Sequence, residues 1–447
     1  MEFVIKISQF LLSLSLLIVL HELGHFIPAK AFKTRVEKFY LFFDVKYSLF
    51  KKKIGETVYG IGWLPLGGYV KISGMIDESM DKEQMAQPPQ PWEFRSKPSW
   101  QRLIIMLGGV TVNFILAYVI YVFISLAYGD IDITSSSVKD GYMVTNPILK
   151  DLGIKTGDKV IAINDEEIET VSQIRRKIIS AEKLTILSGN ETKEVVLPED
   201  FLGQFSSSES KSFFSLRYPF ILEKIPDTSV NASAGLQPKD VIVSLNGKSL
   251  KYYDQYDAIM DSLTATHKTI DVGILRDGQQ LTKTLKVEDG KFEIKAGGDL
   301  NDLERLGYYD IVKTDYTFGE SFGAGLLKFK DQVASYGEQL KKIFNPKTGA
   351  YKGVGGFKAI YDVFPDTWSW QDFWALTAFL SIMLGVLNLL PIPALDGGHV
   401  MFLLYEMISG RKPSEKFLER AQMVGFFILI ALVLFANGND IFKALFK

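Results

Sequence analysis

The sequence predicts a polytopic α-helical membrane protein that carries an α+β region outside the membrane. Three observations support this fold class. Four apolar stretches of the 447-residue chain are long enough to cross a bilayer. A long polar region, 128–372, separates the second stretch from the third. Within that region a pattern of short strands and turns occurs twice.

The four candidate spans are segments 7–29, 103–126, 373–395 and 421–438. A spanning helix needs about 20 predominantly apolar residues, and the fourth segment is the shortest. The first segment contains one charged residue, Glu22, and the other three contain none. We therefore expect four transmembrane helices embedded in a lipid bilayer.

The composition agrees with apolar spans joined to polar domains. Hydrophobic residues make up 47% of the chain and charged residues 23%, and the formal net charge is −2. Because the chain has no excess of positive charge, we expect no nucleic-acid partner. Cysteine is absent, which excludes disulfides, thiolate metal sites and a cysteine nucleophile.

The connectors between spans predict the orientation. Connector 30–102 contains 13 Lys and Arg against 8 Asp and Glu, and connector 411–420 is also basic. Because basic connectors stay in the cytosol, both termini and region 128–372 are expected on the opposite side. We therefore expect five parts in the chain. A first membrane part (1–127) is followed by two extramembrane domains (128–220 and 221–297), a linker (298–372) and a second membrane part (373–447).

The extramembrane region contains an internal repeat. Segment 153–164 (GIKTGDKVIAIN) recurs as segment 235–246 (GLQPKDVIVSLN). Each copy reads as a glycine turn, an aspartate, a short apolar strand and an asparagine turn. The pattern resembles the core of bacterial PDZ domains and implies two of them, 128–220 and 221–297. Two unrelated β-rich domains that share a turn are the alternative.

Segment 325–344 is amphipathic at helical spacing. Apolar residues recur on one side while lysines occupy the others. This pattern predicts a helix within the linker 298–372. The helix could lie on the membrane surface, or it could pack on the second repeated domain.

An H-E-x-x-H pattern lies inside the first span, at His21, Glu22 and His25. Residues four apart share one face of a helix, so both imidazoles can reach one metal ion. Glu22 is then placed to accept a proton from a water molecule at that ion. A polar cluster that packs the bundle, or a proton or ion pathway, is the alternative. The first segment also resembles a signal peptide cleaved near Ala29, but cleavage would remove this pattern, so we expect the segment to be retained.

A catalytic zinc ion takes three protein ligands and a water molecule. The third ligand is expected from the end of the third apolar stretch, NLLPIPALDGGH, at residues 388–399. Irregular backbone at membrane depth is tolerated only where it is buried in protein or lines a wet cavity. Asp396 and His399 both offer donor atoms there, and their spacing does not discriminate between them.

H-E-x-x-H in the first span together with N-x-x-P-x-x-x-x-D-G in a later span resembles the site-2 protease family of intramembrane zinc metalloproteases. The resemblance covers nearly the whole chain. It implies one zinc ion (Zn2+) held by His21, His25 and Asp396, with Glu22 as general base. It also implies that Asn388 contacts the substrate backbone with Pro391 nearby, and that His399 has a structural role.

A further segment, 60–70, resembles the membrane-re-entrant β-hairpin of that family, which is thought to hold substrate as an extended strand. Its expected substrate-binding residues are Gly67, Gly68 and Tyr69. The alternative is an ordinary amphipathic hairpin on the cytosolic surface.

The resemblance also implies a function. Family members hydrolyse transmembrane segments of single-span proteins after a first protease has trimmed them, typically anti-sigma factors or remnant signal peptides. We accordingly expect a protein of the bacterial inner membrane with periplasmic PDZ domains that bind peptides or substrate ectodomains, acting in a stress response. A non-catalytic PDZ-bearing receptor is one alternative. A metal or proton pathway is another, although spans two and four lack ionisable residues.

Overall fold

The computed structural model describes residues 2–65, 67–75, 87–208, 210, 212–265 and 267–446. Its α-helices, in chain order, are α1 (Glu2–Ala31), α2 (Ser99–Tyr128), α3 (Pro147–Asp151), α4 (Val171–Lys177), α5 (Phe201–Ser207), α6 (Tyr256–Thr264), α7 (Leu300–Arg305), α8 (Phe318–Phe344), α9 (Phe357–Val363), α10 (Trp370–Asn388), α11 (Asp396–Ser409) and α12 (Glu415–Phe446).

The strands, again in chain order, are β1 (Val36–Leu41), β2 (Phe43–Ile54), β3 (Thr57–Leu64), β4 (Tyr69–Ile72), β5 (Asp130–Ile133), β6 (Lys159–Ile163), β7 (Glu166–Glu167), β8 (Lys183–Ser188), β9 (Glu191–Val196), β10 (Phe220–Lys224), β11 (Val241–Leu245), β12 (Lys248–Ser249), β13 (Thr269–Arg276), β14 (Gln279–Lys286), β15 (Lys295–Ala296) and β16 (Ile311–Thr314).

The chain divides into two units. The first unit consists of residues 1–129, 315–340 and 354–447, and the second of residues 130–314 and 341–353. In the described part of the chain, four helices are long and apolar enough to cross a membrane: α1, α2, α10 and α12. All four belong to the first unit, in agreement with the four spans that the sequence predicts.

The third span is shorter than the sequence predicts. Ser369 caps its start by accepting a hydrogen bond from the Asp372 backbone N–H at 3.2 Å. The helix then ends at Asn388, three residues before Pro391, whose ring cannot continue a helix. The predicted span to residue 395 is therefore corrected, since residues 389–395 form a loop and a new helix begins at Asp396.

Helices α1, α2 and α10 pack through small and hydroxyl-bearing residues. Ser381 donates to the Asn113 carbonyl at 2.8 Å, and Thr377 donates to the Ser13 hydroxyl at 3.0 Å. All four of these residues are fully buried. Lipid tails are as apolar as the helix side chains, so apolar burial does little to drive helices together in a bilayer. Close packing and hydrogen bonds of this kind hold membrane helices together instead.

The amphipathic segment forms the long helix α8, and the part of it in the first unit packs on membrane helices. The Phe329 ring lies 6.0 Å from that of Phe114 on α2, and Tyr336 contacts Phe379 on α10 at 6.0 Å. A Cβ added to Gly325 would lie 2.7 Å from Val122. The apolar stripe is thus explained by contact with α2 and α10, which neither predicted alternative included.

Strands β1 to β4 form one sheet in the order β2-β3-β1-β4. The antiparallel hairpin is β2–β3, which turns at Gly55 with φ +61°. The predicted hairpin at 60–70 is therefore corrected. That segment joins β3 to β4, and β1 lies between them, parallel to β3 and antiparallel to β4. Leu66, within the segment, lies outside the described residues.

The second unit contains both copies of the repeat, and they fold alike. Asp158 accepts a hydrogen bond from the Lys155 N–H at 2.8 Å, and Asp240 accepts one from the Gln237 N–H at 2.7 Å. Each copy leads into a buried central strand, β6 or β11. The first sheet has the order β7-β6-β8-β9, and the second contains β14-β13-β11-β10-β15 with β12 paired to β11.

The chain after the second sheet returns to the core of the first. Leu303 and Tyr309 are buried in the hydrophobic cluster that otherwise gathers residues between 133 and 216. The Tyr309 hydroxyl donates to the Arg217 carbonyl at 2.7 Å and accepts from the Arg217 N–H at 3.1 Å. Residues 300–309 therefore stabilise the first repeated domain although they follow the second.

Candidate metal centre

His21 and His25 lie one turn apart on α1, where this helix packs on α2. Their neighbours on α2 are glycines. A Cβ added to Gly109 would lie 2.4 Å from His25 Nε2 and 2.6 Å from His21 Cε1. A Cβ on Gly108 would lie 1.9 Å from the backbone oxygen of Gly24. Glycine at 109 therefore makes room for the two imidazoles, and glycine at 108 lets the backbones of the two helices approach closely.

Asp396, the first residue of α11, brings a third donor atom to the two imidazoles. Its Oδ2 lies 3.4 Å from His21 Nε2 and 3.3 Å from His25 Nε2, and the two Nε2 atoms are 3.3 Å apart. Donors bound at about 2.1 Å to a tetrahedral zinc ion lie about 3.4 Å from one another. The triangle therefore has the size that such an ion requires.

The chemistry of these donors also fits a cation. The Asp396 Oδ2 atom is buried and has no hydrogen-bond partner among the described residues, although a buried carboxylate is costly unless it is paired. The two imidazoles are buried as well. A divalent cation bound between the three atoms would compensate the repulsion between their converging lone pairs.

The far sides of the imidazoles are held by α2. His25 Nδ1 lies 2.8 Å from the Ile105 carbonyl oxygen, and His21 Nδ1 lies 3.1 Å from the side-chain amide of Asn113. Since a carbonyl only accepts, Nδ1 of His25 carries the proton. If the Asn113 amide is rotated so that its oxygen and nitrogen exchange places, the oxygen accepts a proton from His21 Nδ1 in the same way. Such contacts orient histidine ligands and leave Nε2 free for a metal.

Glu22 lies beside the donor triangle and lines a cavity of about 470 Å³. A Cβ added to Gly68, the residue before β4, would lie 3.7 Å from Glu22 Cγ. The same cavity is lined by His21, His25 and Asp396. A carboxylate, a candidate metal site and space for a second molecule therefore meet at one place.

Other predicted site residues lie at this cavity to different degrees. The Asn388 amide nitrogen lies 3.4 Å from His21 Nε2. Gly68 and Tyr69 line the cavity, and a Cβ on Gly68 would lie 2.5 Å from Ile18. The Tyr69 hydroxyl donates to Asp44 at 2.8 Å.

Two further predicted residues, like Asn388, are not part of the lining. Gly67 lies beside the ring of Phe43, which a Cβ at Gly67 would approach to 2.9 Å. Pro391 is exposed in the loop between α10 and α11. Neither residue is among those that line the cavity.

His399, the other candidate for the third ligand, lines the cavity but lies outside the donor group. Within the described residues, the His, Asp and Glu cluster whose donor atoms converge consists of His21, His25 and Asp396. Asp396 starts α11, and His399 follows one turn later on the same helix. The structure thus separates two residues that their spacing left equivalent.

Three partners of the site were not predicted as functional: the Ile105 carbonyl, Asn113 and Gln422. A backbone carbonyl leaves no trace in a sequence. Asn113 and Gln422, by contrast, are amides inside uncharged apolar stretches, and a buried polar group at membrane depth needs a partner. Applied to amide side chains as well as to charged ones, this rule would have identified Asn113 and Gln422 from the sequence.

Comparison with known proteins agrees with this geometry. A relative in Rickettsia conorii is 26% identical over 98% of both chains. One in Campylobacter jejuni is 28% identical over 96% of this chain and 91% of its own. Both carry the name "Putative zinc metalloprotease". The regulator of sigma E protease of Haemophilus influenzae is 26% identical over 99% of this chain and 100% of its own.

The family profile extends across the site as well. Residues 9–432 match the profile described as Peptidase family M50, and this range includes all three donor residues and Glu22. The protein therefore belongs to peptidase family M50, the site-2 protease family, as a membrane metalloprotease.

Proposed function

We propose that this protein is an intramembrane zinc protease that hydrolyses peptide bonds within the transmembrane segments of single-span proteins. One observation carries the proposal. His21, His25 and Asp396 form a donor triangle beside Glu22 and a cavity, and α1, which supplies three of these four residues, is long and apolar enough to cross a membrane.

The residues divide the chemistry of hydrolysis between them. His21, His25 and Asp396 would hold zinc, which supplies Lewis acidity by polarising the scissile carbonyl and lowering the pKa of a water molecule. Glu22 takes a proton from the attacking water at its carboxylate and delivers it to the nitrogen of the leaving amine. Asn388, whose amide nitrogen lies close to His21 Nε2, donates its amide hydrogens to the substrate backbone.

The substrate must be extended where it is cut, because a helix keeps its carbonyls in hydrogen bonds. Strand β4 is an outer strand of its sheet, and its first residue, Tyr69, lines the cavity together with Gly68, which precedes the strand. A substrate segment that pairs with β4 would be held as a strand, as peptides are when they add to a sheet edge. Gly67 and Pro391 would act from outside the cavity, by shaping the segments on either side.

The two repeated domains are proposed to be PDZ domains in the periplasm, with the bilayer of the bacterial inner membrane around the first unit. The basic connectors 30–102 and 411–420 support this orientation. Substrates would be proteins already trimmed by another protease, such as an anti-sigma factor or a remnant signal peptide. The name of the Haemophilus relative, a regulator of sigma E protease, supports this assignment.

The substitution Glu22→Gln tests the mechanism. The amide cannot accept the proton, so cleavage should fall by at least about 10²- to 10⁴-fold, while bound zinc is retained. Zinc content and cleavage of a tagged single-span substrate would be measured on the same detergent preparation. Glu2→Gln, at the exposed start of the same helix, is the matched control. Normal turnover by Glu22→Gln would exclude this mechanism.

A further inference from the structure

The loop that precedes the candidate ligand Asp396 contains a strained residue. Ala394 has a φ of +81°, in the left-handed region that residues with a Cβ avoid. Alanine has no side-chain polar group that could stabilise this conformation locally. The Leu395 N–H donates to the Ile392 carbonyl at 3.0 Å and closes a turn around Ala394, and a contact from outside the loop adds to this bond.

The contact comes from α12. Gln422 is buried, with 4% of its surface exposed, and its Oε1 accepts a hydrogen bond from the Ala394 N–H at 3.2 Å. One turn further along α12, a Cβ added to Gly425 would lie 1.6 Å from the Pro393 carbonyl oxygen. Helix α12 thus contacts two successive residues of the loop, one through a hydrogen bond and one through backbone packing.

This contact is unusual for α12, whose apolar middle is largely exposed. A glutamine in such a helix is unfavourable in lipid unless its amide finds a partner. Gln422 also lines the cavity that contains the donor triangle. Its bond to Ala394 gives a physical reason for a polar residue at this position.

The loop conformation determines where Asp396 lies. Only Leu395 separates Ala394 from Asp396, so a change in the backbone at Ala394 redirects the start of α11. The Asp396 Oδ2 lies 3.3–3.4 Å from both imidazole Nε2 atoms, and zinc–ligand bonds tolerate deviations of only about 0.2 Å. A small rotation at Ala394 would open the triangle.

We propose that Gln422 is a positioning residue for the metal site. By holding the Ala394 N–H, it keeps the strained loop in the conformation that presents the Asp396 carboxylate to His21 and His25. This inference rests on the proposed zinc site. It assigns to the fourth span, which supplies no ligand to the triangle, a role in forming that site.

The test uses the full-length protein in detergent and measures zinc affinity by competition with a chelator. Gln422→Leu keeps the approximate size but removes the acceptor, so zinc should bind about 10- to 100-fold more weakly, as for other residues that support metal ligands. In kinetics, kcat should fall with little change in KM. Met423→Leu, on the exposed side of the same helix, is the matched control and should bind zinc normally.

A second substitution separates positioning from general damage. Glycine adopts φ +81° without strain, so Ala394→Gly added to Gln422→Leu should restore most of the lost zinc affinity. If Gln422→Leu does not fold, Gln422→Glu, which keeps an acceptor oxygen, should bind zinc within about threefold of wild type, as the retained acceptor predicts.

Four results would each contradict one of the two proposals. Unchanged zinc affinity in Gln422→Leu, or a loss that Ala394→Gly does not relieve, would overturn the positioning role. A 10-fold or greater loss in Gln422→Glu would also overturn it. If the wild-type protein itself bound no zinc, the proposed function would fail instead, and the two failures are therefore distinguishable.

Discussion

The Nδ1 atom of His25 lies 2.8 Å from the carbonyl oxygen of Ile105 on the neighbouring helix. Because a carbonyl can only accept, this contact places the imidazole proton on Nδ1 and directs the Nε2 lone pair toward Asp396. The carbonyl stays available to His25 through its second lone pair, even though α2 is helical there. A single backbone atom thus selects the tautomer that binds metal.

Asp396, and not His399, is expected to be the third zinc ligand. Asp396→Asn replaces the charged Oδ2 with a neutral amide atom, so zinc should be lost or bound at least about 10-fold more weakly, and cleavage should stop. His399→Ala should retain zinc with a milder defect. Zinc content after dialysis against a chelator measures both, and the opposite ranking would reassign the ligand without changing the enzyme class.

Asn113 is expected to orient His21. Asn113→Leu removes the only side-chain partner of His21 Nδ1 that the described residues provide, so zinc affinity should fall about 10- to 100-fold. Asn113→Asp keeps an acceptor and should lose much less. Chelator competition on both variants checks this. Equal zinc affinity in Asn113→Leu and wild type would show that His21 needs no such support.

The second unit is expected on the periplasmic side of the membrane, with the zinc site toward the cytosol. His21 and His25 lie in the second half of α1, shortly before the basic connector begins at Lys30. A periplasm-dependent reporter inserted near Ser207 should be active, and the same reporter inserted at Gly55 in the β2–β3 turn should be silent. The reverse pattern would invert the topology.

The repeated domains are expected to exclude untrimmed substrates and not to take part in hydrolysis, because none of the described residues between 130 and 314 is a donor of the metal site. Ile242 is 1% exposed in the second repeated domain, so Ile242→Asp buries an unpaired charge and unfolds that domain. The variant should then cut substrates that retain their ectodomains.

Cleavage of trimmed substrates should survive in Ile242→Asp. Both substrates are compared in membranes that contain wild type or the variant, with the exposed Val196→Asp as the control for added charge. Loss of trimmed-substrate cleavage without any gain on the untrimmed form would show that these domains recruit substrates.

Local patterns in the sequence were sufficient for several features. The lengths of the apolar stretches predicted four spans, because a bilayer of fixed thickness requires about 20 apolar residues in each spanning helix. The four-residue spacing of His21 and His25 predicted a shared helical face because α-helical geometry requires it. The repeat at 153–164 and 235–246 predicted two similar folds, since identical turn chemistry makes identical local bonds.

Only the tertiary structure decided how distant segments meet. The distances of 3.3–3.4 Å between the Asp396 carboxylate and both imidazoles depend on where α11 begins. The position of β1 between β3 and β4 depends on a parallel pairing that no local periodicity encodes. Asn113 meets His21 across 92 positions, and Gln422 meets Ala394 across 28. A sequence pattern reports which face of an element is buried, but the partner that buries it is chosen by packing of the whole bundle.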